Sequence, residues 1–593
     1  MNSIRSVCAG ALFLALVATP SAFAGIVYVD ASATTGANDG SSWANAFQGS
    51  SGLQSALAVA VAGDQIWVAD GTYLPTSGGS RFVSFGLVSA VQLYGGFAGG
   101  ETNLSERDPS ANIAVLSGDL AGNDGMTDYA ENSYHVVGGN NVSGAVLDGF
   151  TIRGGNADGP SATNNDDGAG LYLKGHCPVL NCVFEDNRCT GIGAAALVLD
   201  VNDFPVFYDC KFDGNEAGTG AGAVHVGPTG DAAYFYRCIF TNNTAPRASA
   251  IDGYLAFDVF FRDCLFAENV VTGSEGGTVN MSFESYPWFI GCTMAANTST
   301  VSQAAGVYCF RDTFIYNSIF YFNTGPGGSQ TSANQVYSIG APIAAASSCV
   351  QGGLAGTNMI FANPEFIDVT EGNFRLAPFS PCVDAANNSS TNSSLDLDRT
   401  PRKEDVASTP DTGFGTPPIV DMGAYETPGG PYAPVCPGDG TLATQCPCAN
   451  SGSFGRGCRN SIPTAQGALL TGSGGISPDT IVLTASSVRP GLLCILLQGN
   501  FLNGAGFVFG DGVRCVAGSL KRINSHFASA DASFTYPRPG DPSISSRSAT
   551  LGDSITPGTD RWYQVWYRDG APTFCPPPQG GTSNVTSGLV VHW

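Results

Sequence analysis

The sequence has few charged residues for its 593-residue length, and basic residues are the rarer kind, with 25 Lys or Arg against 49 Asp or Glu. The formal net charge is −24 and only 12% of residues are charged. Nucleic acid and anionic membrane are therefore excluded as predicted partners, because both require clustered positive charge. No stretch after residue 24 reaches the ~18–20 apolar residues of a membrane span, so no transmembrane segment is predicted.

Helical periodicity is also missing from the central region, where apolar residues never recur at three-and-four spacing. A seven-residue phrase recurs there instead: "NCVFEDN" at 181–187, "DCKFDGN" at 209–215, "RCIFTNN" at 237–243, "DCLFAEN" at 263–269, "GCTMAAN" at 291–297 and "NSIFYFN" at 317–323. Consecutive copies begin 26 to 28 residues apart. Such regular spacing indicates repeated supersecondary units that stack along one axis.

The amino terminus has the pattern of a secretory signal. Arg5 precedes an apolar run from Cys8 to Val17, and Ala22-Phe23-Ala24 follows with the small-x-small pattern of a cleavage site. Residues 1–24 are therefore predicted to be a signal peptide, and the mature protein to be secreted or held at the outer cell surface. Without Cys8, 17 of the 18 cysteines remain. An oxidising compartment permits disulfide bonds, and the odd number means that at least one thiol is free or pairs with another molecule.

Two apolar columns flank the aligned cysteine position. The first is Val179, Phe207, Phe235, Phe261, Phe289 and Ile315, and the second, five residues later, is Phe184, Phe212, Phe240, Phe266, Met294 and Phe320. Side chains alternate faces along a strand, so both columns can face one core only if the chain turns between them. We place one corner at Asn181, Asp209, Asp263 and Asn317, and a second at the stacked asparagines Asn187, Asn215, Asn243, Asn269, Asn297 and Asn323.

Small residues followed by a short apolar stretch recur between the phrases, as in "GAGLYL" at 168–173 and "GAGAVHV" at 220–226. Each repeat is therefore predicted to contain three short strands, each paired with its equivalent one coil away at ~4.8 Å. This arrangement is a parallel β-helix, a solenoid filled by columns of like residues. The aligned cysteines are predicted to be small buried thiols, because parallel side-chain directions hold their Cβ atoms slightly too far apart for disulfide bonds.

The Phe-x-x-Asn phrases and the Gly/Ala-rich stretches resemble the repeats of bacterial polymorphic outer membrane proteins, within the pectin-lyase-like superfamily. Met294 departs from the pattern, and Gly193-Ala194-Ala195 replaces the paired glycines of those repeats. The resemblance covers about residues 145–325 and implies a right-handed parallel β-helix. Fold and activity are only loosely linked, so it implies much less about function.

The flanking sequences complete an all-β prediction. Residues 25–430 are predicted to be the β-helix, with a capping helix over Leu53 to Val61, a first strand from Gln65 to Ala69 and a closing segment at 364–426. A Pro/Gly-rich linker follows at 431–440. Residues 441–593 are predicted to be a small disulfide-containing β-sandwich-like domain, which resembles an uncharacterised carboxy-terminal module of secreted bacterial proteins. The disulfide candidates are Cys436, Cys446, Cys448, Cys458, Cys515 and Cys575.

Catalytic residues are hard to find in the solenoid sequence. The superfamily resemblance implies that an enzyme of this kind would be a polysaccharide lyase, with a Ca²⁺-binding carboxylate cluster and an Arg or Lys base, or a hydrolase with neighbouring aspartates. Asp166, Asp167 and Asp209 are the catalytic candidates. The Arg-x-Lys and Gly-His-Gly elements of pectin hydrolases are absent, and a corner position explains Asp209 equally well.

An outward stripe of aromatic and basic residues is the main binding candidate. Tyr208, Tyr236, Arg262 and Tyr316 stand two residues before the cysteine position, where alternation turns them to the outer face. Such side chains could stack on sugar rings or on a partner protein. The alternative is the ordinary packing of half-exposed strands.

Calcium is the one cofactor that the sequence suggests, through Asp384, Asp396 and Asp398. A solvated acidic loop is the alternative for these residues. We therefore predict a secreted or cell-surface β-helix protein that is adhesive, structural or carbohydrate-binding, with an extracellular polysaccharide or cell-surface component as partner. The carboxy-terminal module would serve attachment or sorting. The second hypothesis is an extracellular polysaccharide lyase or glycoside hydrolase.

Overall fold

The structure is a computed structural model that describes residues 25–124, 128–199, 204–228, 232–377, 380–406, 409–427, 429–440, 442–453, 455–462, 466–571, 574–576 and 581–593. The predicted signal peptide, residues 1–24, lies outside the described residues. The chain divides into two units. The first contains the described residues of 25–376, 380–403 and 411–426, and the second contains residue 377 and the described residues of 404–410 and 427–593.

The first unit is a parallel β-solenoid of about ten turns, whose strands stack into four parallel sheets. Sheet A contains Ile26–Asp30, Phe47–Gln48, Gln65–Ala69, Gln92–Phe97, Val146–Asp148, Val179–Leu180, Val206–Tyr208, Ala232–Tyr236, Phe257–Arg262, Ser285–Ile290, Thr313–Tyr316 and Ile343–Ala346. Sheet B contains Gly71–Tyr73, Ala114–Ser117, Phe150–Arg153, Val183–Glu185, Lys211–Asp213, Ile239–Thr241, Leu265–Ala267, Thr293–Ala295, Ile319–Tyr321 and Cys349–Val350.

Sheets C and D complete each turn of the solenoid. Sheet C contains Phe85–Gly86, Val137–Val142, Leu171–Gly175, Ala196–Leu199, Val224–Val226, Ala248–Tyr254, Gly277–Ser282, Val307–Cys309 and Val336–Ser338. Sheet D contains Asn156–Ala157, Arg188–Cys189, Glu216–Ala217, Thr244–Ala245, Val270–Val271 and Thr298–Ser299. Where all four sheets are present, the chain passes through A, B, D and C in that order. The predicted three strands per repeat therefore become four, because strands of only two residues are too short to show an alternating sequence pattern.

The interior confirms the predicted corners and columns. Phe184, Phe212, Phe240 and Phe266 stack with ring centroids 5.1, 4.8 and 4.7 Å apart. Both apolar columns face one core. Asn181, Asp209, Asp263 and Asn317 have φ between 48° and 56°, the left-handed conformation that Asn and Asp tolerate best after glycine. A corner at these residues lets side chains five positions apart meet inside.

The predicted asparagine column is a continuous hydrogen-bonded ladder. Each side-chain Nδ2 from Asn187 to Asn297 donates to Oδ1 of the next asparagine at 2.8 to 3.0 Å, and Gln335 Oε1 accepts from Asn323 at the far end. The same amides also donate to carbonyls of the preceding coil, as Asn243 does to Phe212 at 2.9 Å. All six asparagines are fully buried. Their polar groups are paired inside the solenoid, so the ladder avoids the penalty of unsatisfied buried amides.

The cysteine column consists of free buried thiols, as predicted from the side-chain directions. The Sγ atoms of Cys210, Cys238, Cys264 and Cys292 donate to carbonyls of the preceding coil at 3.3 to 3.5 Å. Burial raises the pKa of Cys182 to about 12. These thiols therefore pack as small apolar groups and stay protonated.

The ends and one side of the solenoid are covered by its flanking segments. The capping helix forms at Gly52–Val59 and buries Leu53, Ala56 and Leu57. In the closing segment, the hairpin Phe366–Asp368/Asn373–Leu376 is followed by residues that lie on the outer face of sheet B. There Phe374, Ala424 and Tyr425 pack against sheet B residues Leu265, Ala267 and Ala295. The chain itself therefore covers the outer face of sheet B at these strands.

The second unit has antiparallel strands and three disulfide bonds. One six-stranded sheet contains Tyr432–Val435, Leu493–Gly499, Lys521–Phe527, Asp560–Arg568, Ser583–Val585 and Gly588–His592. A second sheet shares one hydrophobic core with the six-stranded sheet and contains Leu469–Ser473, Val482–Ser486 and Phe534–Tyr536. A separate hairpin pairs Phe501–Phe509 with Gly512–Ala517. The disulfide bonds join Cys436 to Cys515, Cys446 to Cys458 and Cys448 to Cys575. A small unit with a limited core gains stability from such cross-links.

Helices are short in both units. The remaining α-helices are Ser332–Gln335 and Ile544–Thr550, and the 3-10 segments are Trp43–Asn45, Leu104–Glu106, Ser161–Thr163, Pro326–Gly328, Asn388–Ser390 and Pro447–Ala449. Of the helices in the described part of the chain, none has both the length and the hydropathy that a membrane span requires.

Candidate functional site

The outer face of sheet A carries the predicted stripe and a second column beside it. Tyr208, Tyr236, Arg262 and Tyr316 are half-buried on this face, in register from coil to coil. Two residues earlier in each strand lie Tyr234, Phe260, Trp288 and Phe314, which the sequence analysis missed. Their ring centroids are 5.1, 5.5 and 3.7 Å apart, with interplanar angles of 7°, 28° and 12°. We call these four rings the sheet A ladder.

The geometry of the sheet A ladder favours a role in folding. Each ring lies face to face with the ring of the next coil, so the faces that a sugar would contact are covered by protein. Trp288 also donates Nε1–H to Asp258 Oδ1 at 2.9 Å, and Arg262 lies 5.9 Å from the Phe260 centroid. The ladder is therefore a stack that holds consecutive coils together, with only ring edges toward solvent.

The outer face of sheet C changes its residue type from coil to coil. One outward column reads, in register, Tyr172, Leu197, His225, Asp252, Asn280, Tyr308 and Tyr337. Its three middle residues, His225, Asp252 and Asn280, are at most 7% exposed. Buried polar groups at an outward position are unusual in a strand and need hydrogen-bond partners.

Asp252 is the centre of a buried polar network. Its Oδ2 lies 2.9 Å from His225 Nδ1, and its Oδ1 accepts from Asn280 Nδ2 at 3.1 Å. Arg247 Nε lies 3.3 Å from the same Oδ1, and Arg247 Nη2 donates to Ser282 Oγ at 2.8 Å. A fully buried carboxylate is stable only when paired in this way. The network therefore fixes the orientation of Arg247 and Asn280.

These two residues line an open pocket of about 460 Å³ on the outer side of sheet C. We call it the sheet C pocket, and its other lining residues are Glu275, Ser282, Phe283, Tyr308, Phe310 and Arg311. Asn280 Oδ1 is buried and has no hydrogen-bond partner in the described part of the chain. A buried acceptor left unpaired costs about 1–3 kcal/mol. Asn280 thus forms part of the pocket floor, and its unpaired acceptor is covered by neighbouring protein atoms.

The rim of the sheet C pocket is aromatic and has a strained backbone. Phe283 is 56% exposed and has φ 54°, a left-handed conformation that is uncommon for a bulky residue. Tyr254, 36% exposed, meets it edge-on at 5.0 Å. Strain of this kind costs on the order of 1–3 kcal/mol and clusters at functional sites. Phe283 lies at the turn between strands Gly277–Ser282 and Ser285–Ile290, where its exposed ring stands at the rim of the pocket.

Electrostatics in the sheet C pocket are balanced by ion pairs. Arg311 Nη2 lies 2.8 Å from Glu284 Oε1, and Arg311 Nη1 donates to the Phe310 carbonyl at 3.2 Å. Burial raises the pKa of Tyr308, and the nearby Glu275 adds to the shift. Tyr308 therefore keeps its phenolic proton at neutral pH and offers both a donor and an acceptor.

The predicted catalytic carboxylates are not brought into this pocket. Asp166 and Asp167 lie at the turn before the sheet C strand Leu171–Gly175, where Asp167 Oδ1 accepts from the Ile192 amide at 2.7 Å. Burial raises the pKa of Asp167, whose electrostatic neighbours include Asp166 and His225. Asp209 lies at the corner between sheets A and B, and both its oxygens accept from Arg237 at 2.7 Å. The structure therefore gives Asp209 a pairing role at a corner.

The predicted calcium ligands have separate partners. Both oxygens of Asp398 accept from Arg375 at 2.5 Å, and Asp396 accepts from the amides of Thr400 and Glu426 at 2.8 Å each. Asp384 is buried, and its amide donates to Asp421 Oδ1 at 2.8 Å. Elsewhere, carboxylate oxygens of Asp119, Asp124 and Glu131 lie within 4.8 Å of one another and could hold a metal ion. Calcium binding stays a prediction.

The sheet C pocket was not predicted from the sequence, because its residues differ from one repeat to the next. "GAGAVHV", "EGGTVNM" and "AAGVYCF" align as one repeated element, and the alignment draws attention to the apolar positions that stay the same. The outward position between them holds His225, Asn280 and Tyr308. A polar residue that changes from copy to copy within an apolar stretch is the signal that could have identified this column.

Comparisons with known proteins give only weak structural likenesses. No protein-family model and no curated protein matches the chain. The solved structure of pectate lyase Pel9A is similar over 68% of this chain and 96% of that chain, at 14% identity and a TM-score of 0.34. The PL6 family alginate lyase AlyGC is similar over 65% of this chain and 60% of that chain, at 10% identity and a TM-score of 0.24. Likenesses at this level carry no information about activity, so function rests on the residues of this chain.

Proposed function

We propose that this protein is an extracellular or cell-surface solenoid that binds a polysaccharide through the sheet C pocket. The observation that carries the proposal is the pocket itself, about 460 Å³ in volume, with fixed polar groups inside and aromatic rings at its rim. Small-ligand sites combine a concave surface with a few well-positioned polar groups. On this solenoid, the sheet C pocket has that combination and the sheet A ladder does not.

A sugar matches the chemistry of the pocket lining. Each pyranose carries hydroxyls that both donate and accept, and it has C–H faces that pack against aromatic rings. Glu275 offers an exposed acceptor, Arg247 and Arg311 offer donors, and Phe283 offers an exposed ring. A linear polysaccharide could contact several coils, because the pocket lies on an axis of repeated strands.

The extracellular location fits the disulfide bonds of the second unit. Three disulfide bonds form readily in an oxidising compartment and are rare in cytosolic proteins. The predicted signal peptide and the resemblance to bacterial surface proteins point to the same compartment. A surface-exposed solenoid that retains glycans would act in adhesion or in the structure of the cell envelope.

A second candidate function is cleavage of the bound polysaccharide. The observation that favours it is the hydrogen bond between His225 and the buried Asp252, beside Arg247. A histidine oriented by a carboxylate is a common general acid or base. In this case the catalytic residues would be His225 and Arg247, and Asp209, which is paired with Arg237, would serve only the fold.

A combined binding and degradation screen of the full mature protein tests the two functions. Glycan retention and the release of unsaturated or reducing ends are measured on the same polysaccharides, with and without Ca²⁺. We expect retention without product, and weaker retention by Glu275→Ala, because that variant removes an exposed acceptor from the pocket. Product release would support the second candidate. If no polysaccharide is retained or cut, both candidates are wrong.

The control variant for this screen is Phe361→Ala. Phe361 is 52% exposed and lies outside the pocket lining, so its removal matches the loss of an exposed ring in Phe283→Ala. We expect Phe283→Ala to weaken retention and Phe361→Ala to leave it unchanged. Equal losses in the two variants would mean that retention comes from general surface hydrophobicity.

A further inference from the structure

We infer that the sheet C pocket selects an uncharged sugar, so that the ligand is a neutral polysaccharide and not a uronate or a sulfated glycan. This inference rests on the proposed function, whose site it uses. It follows from three observations: the charge count around the pocket, the ion pairs of the arginine side chains and the acceptor that is exposed at the lining.

The charge count leaves no excess positive charge for an anion. Each arginine of the lining is paired, Arg247 with Asp252 at 3.3 Å and Arg311 with Glu284 at 2.8 Å. Glu275 adds a third carboxylate, exposed at the lining, and makes no ion pair within the described part of the chain. Two guanidinium groups therefore face three carboxylates. Anion sites have the opposite balance.

Ion pairs and hydrogen bonds also fix the positions of the two arginine side chains. Arg247 is held between Asp252 and Ser282, and Arg311 between Glu284 and the Phe310 carbonyl. A ligand carboxylate that claimed Arg247 would compete with a fully buried Asp252, whose charge would lose part of its compensation. The charges of Arg247 and Arg311 are compensated by these carboxylates. Their remaining N–H groups therefore act as hydrogen-bond donors to hydroxyl oxygens.

The exposed acceptor in the pocket favours a ligand that donates. Glu275 is exposed at the lining, and its carboxylate only accepts hydrogen bonds. An ionised carboxylate or sulfate also has only acceptor oxygens, so it cannot donate to Glu275. A hydroxyl can donate to Glu275 and accept from Arg247 at the same time. The lining thus favours hydroxyl groups over anions.

The net charge of the whole chain also disfavours anionic ligands. Its formal net charge of −24 repels a polyanion at a distance, and this repulsion weakens as salt screens it. A neutral glycan experiences no such repulsion. Its affinity is expected to be nearly independent of salt, whereas the affinity for a polyanion would rise with ionic strength.

Matched polysaccharide pairs test the inference on the full mature protein. Linear β-1,4-mannan and β-1,4-mannuronan, and β-1,4-glucan and β-1,4-glucuronan, differ within each pair only in whether the sixth carbon is an alcohol or a carboxylate. We expect the neutral member of at least one pair to bind roughly tenfold tighter than its charged counterpart. Its affinity should change by less than about twofold between about 0.05 and about 0.5 M NaCl.

The outcomes separate this inference from the proposed function. Equal or tighter binding of the charged members would overturn the inference and leave polysaccharide binding intact. Binding of no member, together with none in the wider screen, would overturn the proposed function. A charge reversal sharpens the result: Glu275→Lys should raise affinity for the charged members roughly tenfold.

The matched control is Glu371→Lys, which makes the same change in total charge. Glu371 is exposed, lies in the turn between strands Phe366–Asp368 and Asn373–Leu376, and does not line the pocket. We expect no gain in affinity for the charged polysaccharides from this variant. If both reversals raise affinity equally, the selectivity comes from the net charge of the chain and the inference about the pocket is wrong.

Discussion

The outer faces of sheets A and C are built on the same coils, yet their side chains are used differently. On sheet A, Tyr234, Phe260, Trp288 and Phe314 are all aromatic, and each ring covers the face of the next. On sheet C, the column passes from His225 to Asp252 to Asn280, and Asn280 Oδ1 has no partner among the residues that the structure describes. In a solenoid, like residues in a column hold neighbouring coils together. A change of residue type along a column therefore marks a place where folding alone does not determine the residue.

The largest effect that separates the two faces is expected for Trp288→Ala on sheet A. Trp288 stacks between Phe260 and Phe314 and donates a hydrogen bond to Asp258. Removing the ring should lower the free energy of unfolding by about 3 kcal/mol, because packing and a hydrogen bond are lost together. Urea denaturation measures this change, and glycan affinity is measured on the same samples.

Trp288→Phe is the control for this prediction, because it keeps a stacked ring and removes only the indole N–H. It should lose clearly less stability than Trp288→Ala, and both variants should bind glycan like the wild type. Lost binding with unchanged stability would show that sheet A is the ligand face after all.

A smaller effect, on binding, is expected for Asp252→Asn on sheet C. The substitution keeps the shape of the side chain but removes the charge that holds Arg247 and accepts from Asn280. We expect glycan affinity to fall roughly tenfold, about 1.4 kcal/mol, because the pocket donors lose their fixed orientation. Isothermal titration calorimetry on the polysaccharide identified in the screen gives the affinity.

Asp258→Asn makes the same chemical change on the other face. Asp258 accepts the Trp288 hydrogen bond and does not line the sheet C pocket. Its replacement should leave glycan affinity unchanged. If Asp258→Asn weakens binding as much as Asp252→Asn does, the difference between the two faces is not functional.

Repetition explains why so much of the solenoid could be predicted from sequence. The corner at Asn181 and Asp209, the Phe184 to Phe240 stack and the asparagine ladder each follow from a residue type that recurs at one position. Side-chain alternation then fixes which positions face inward. These three predictions, which needed only the repeat period and the two faces of a strand, are confirmed.

The candidate site could not be predicted in this way, because it depends on differences between coils. Asp209 and Asp252 are both aspartates near a strand, but one pairs with Arg237 at a corner and the other lies under a pocket. Those partners come from neighbouring coils and from turns whose course the repeat does not determine. The tyrosine stripe was predicted to face outward, and it does; the stacking in the neighbouring column could be found only from distances.

Phe283→Gly tests whether the strained rim serves the ligand. Glycine adopts a φ of 54° without strain, but its greater backbone entropy in the unfolded chain offsets this gain, so the free energy of unfolding should change by less than about 1 kcal/mol. Glycan affinity should decrease several-fold, because an exposed ring of the pocket lining is removed. Thermal denaturation and calorimetry on the same variant give both quantities. A variant that loses both stability and binding would mean that Phe283 supports the fold.

The smallest effect concerns pH and again separates the two faces. His135 precedes the sheet C strand Val137–Val142, its ring lies 4.9 Å from Tyr172, and burial lowers its pKa below the ordinary value of 6.5. As the pH falls below about 6.5, His135 therefore takes up a proton in the unfolded chain before it does so in the folded chain. The stability that neutral His135 contributes is present above that pH and is lost as the pH falls through the folded pKa. Urea midpoints at about pH 7.5 and about pH 5.5 should differ more in the wild type than in His135→Gln, by less than about 1 kcal/mol. The rings of the sheet A ladder do not titrate in this range, so Trp288→Phe should show the wild-type pH dependence; an equal flattening in that variant would contradict the assignment to His135.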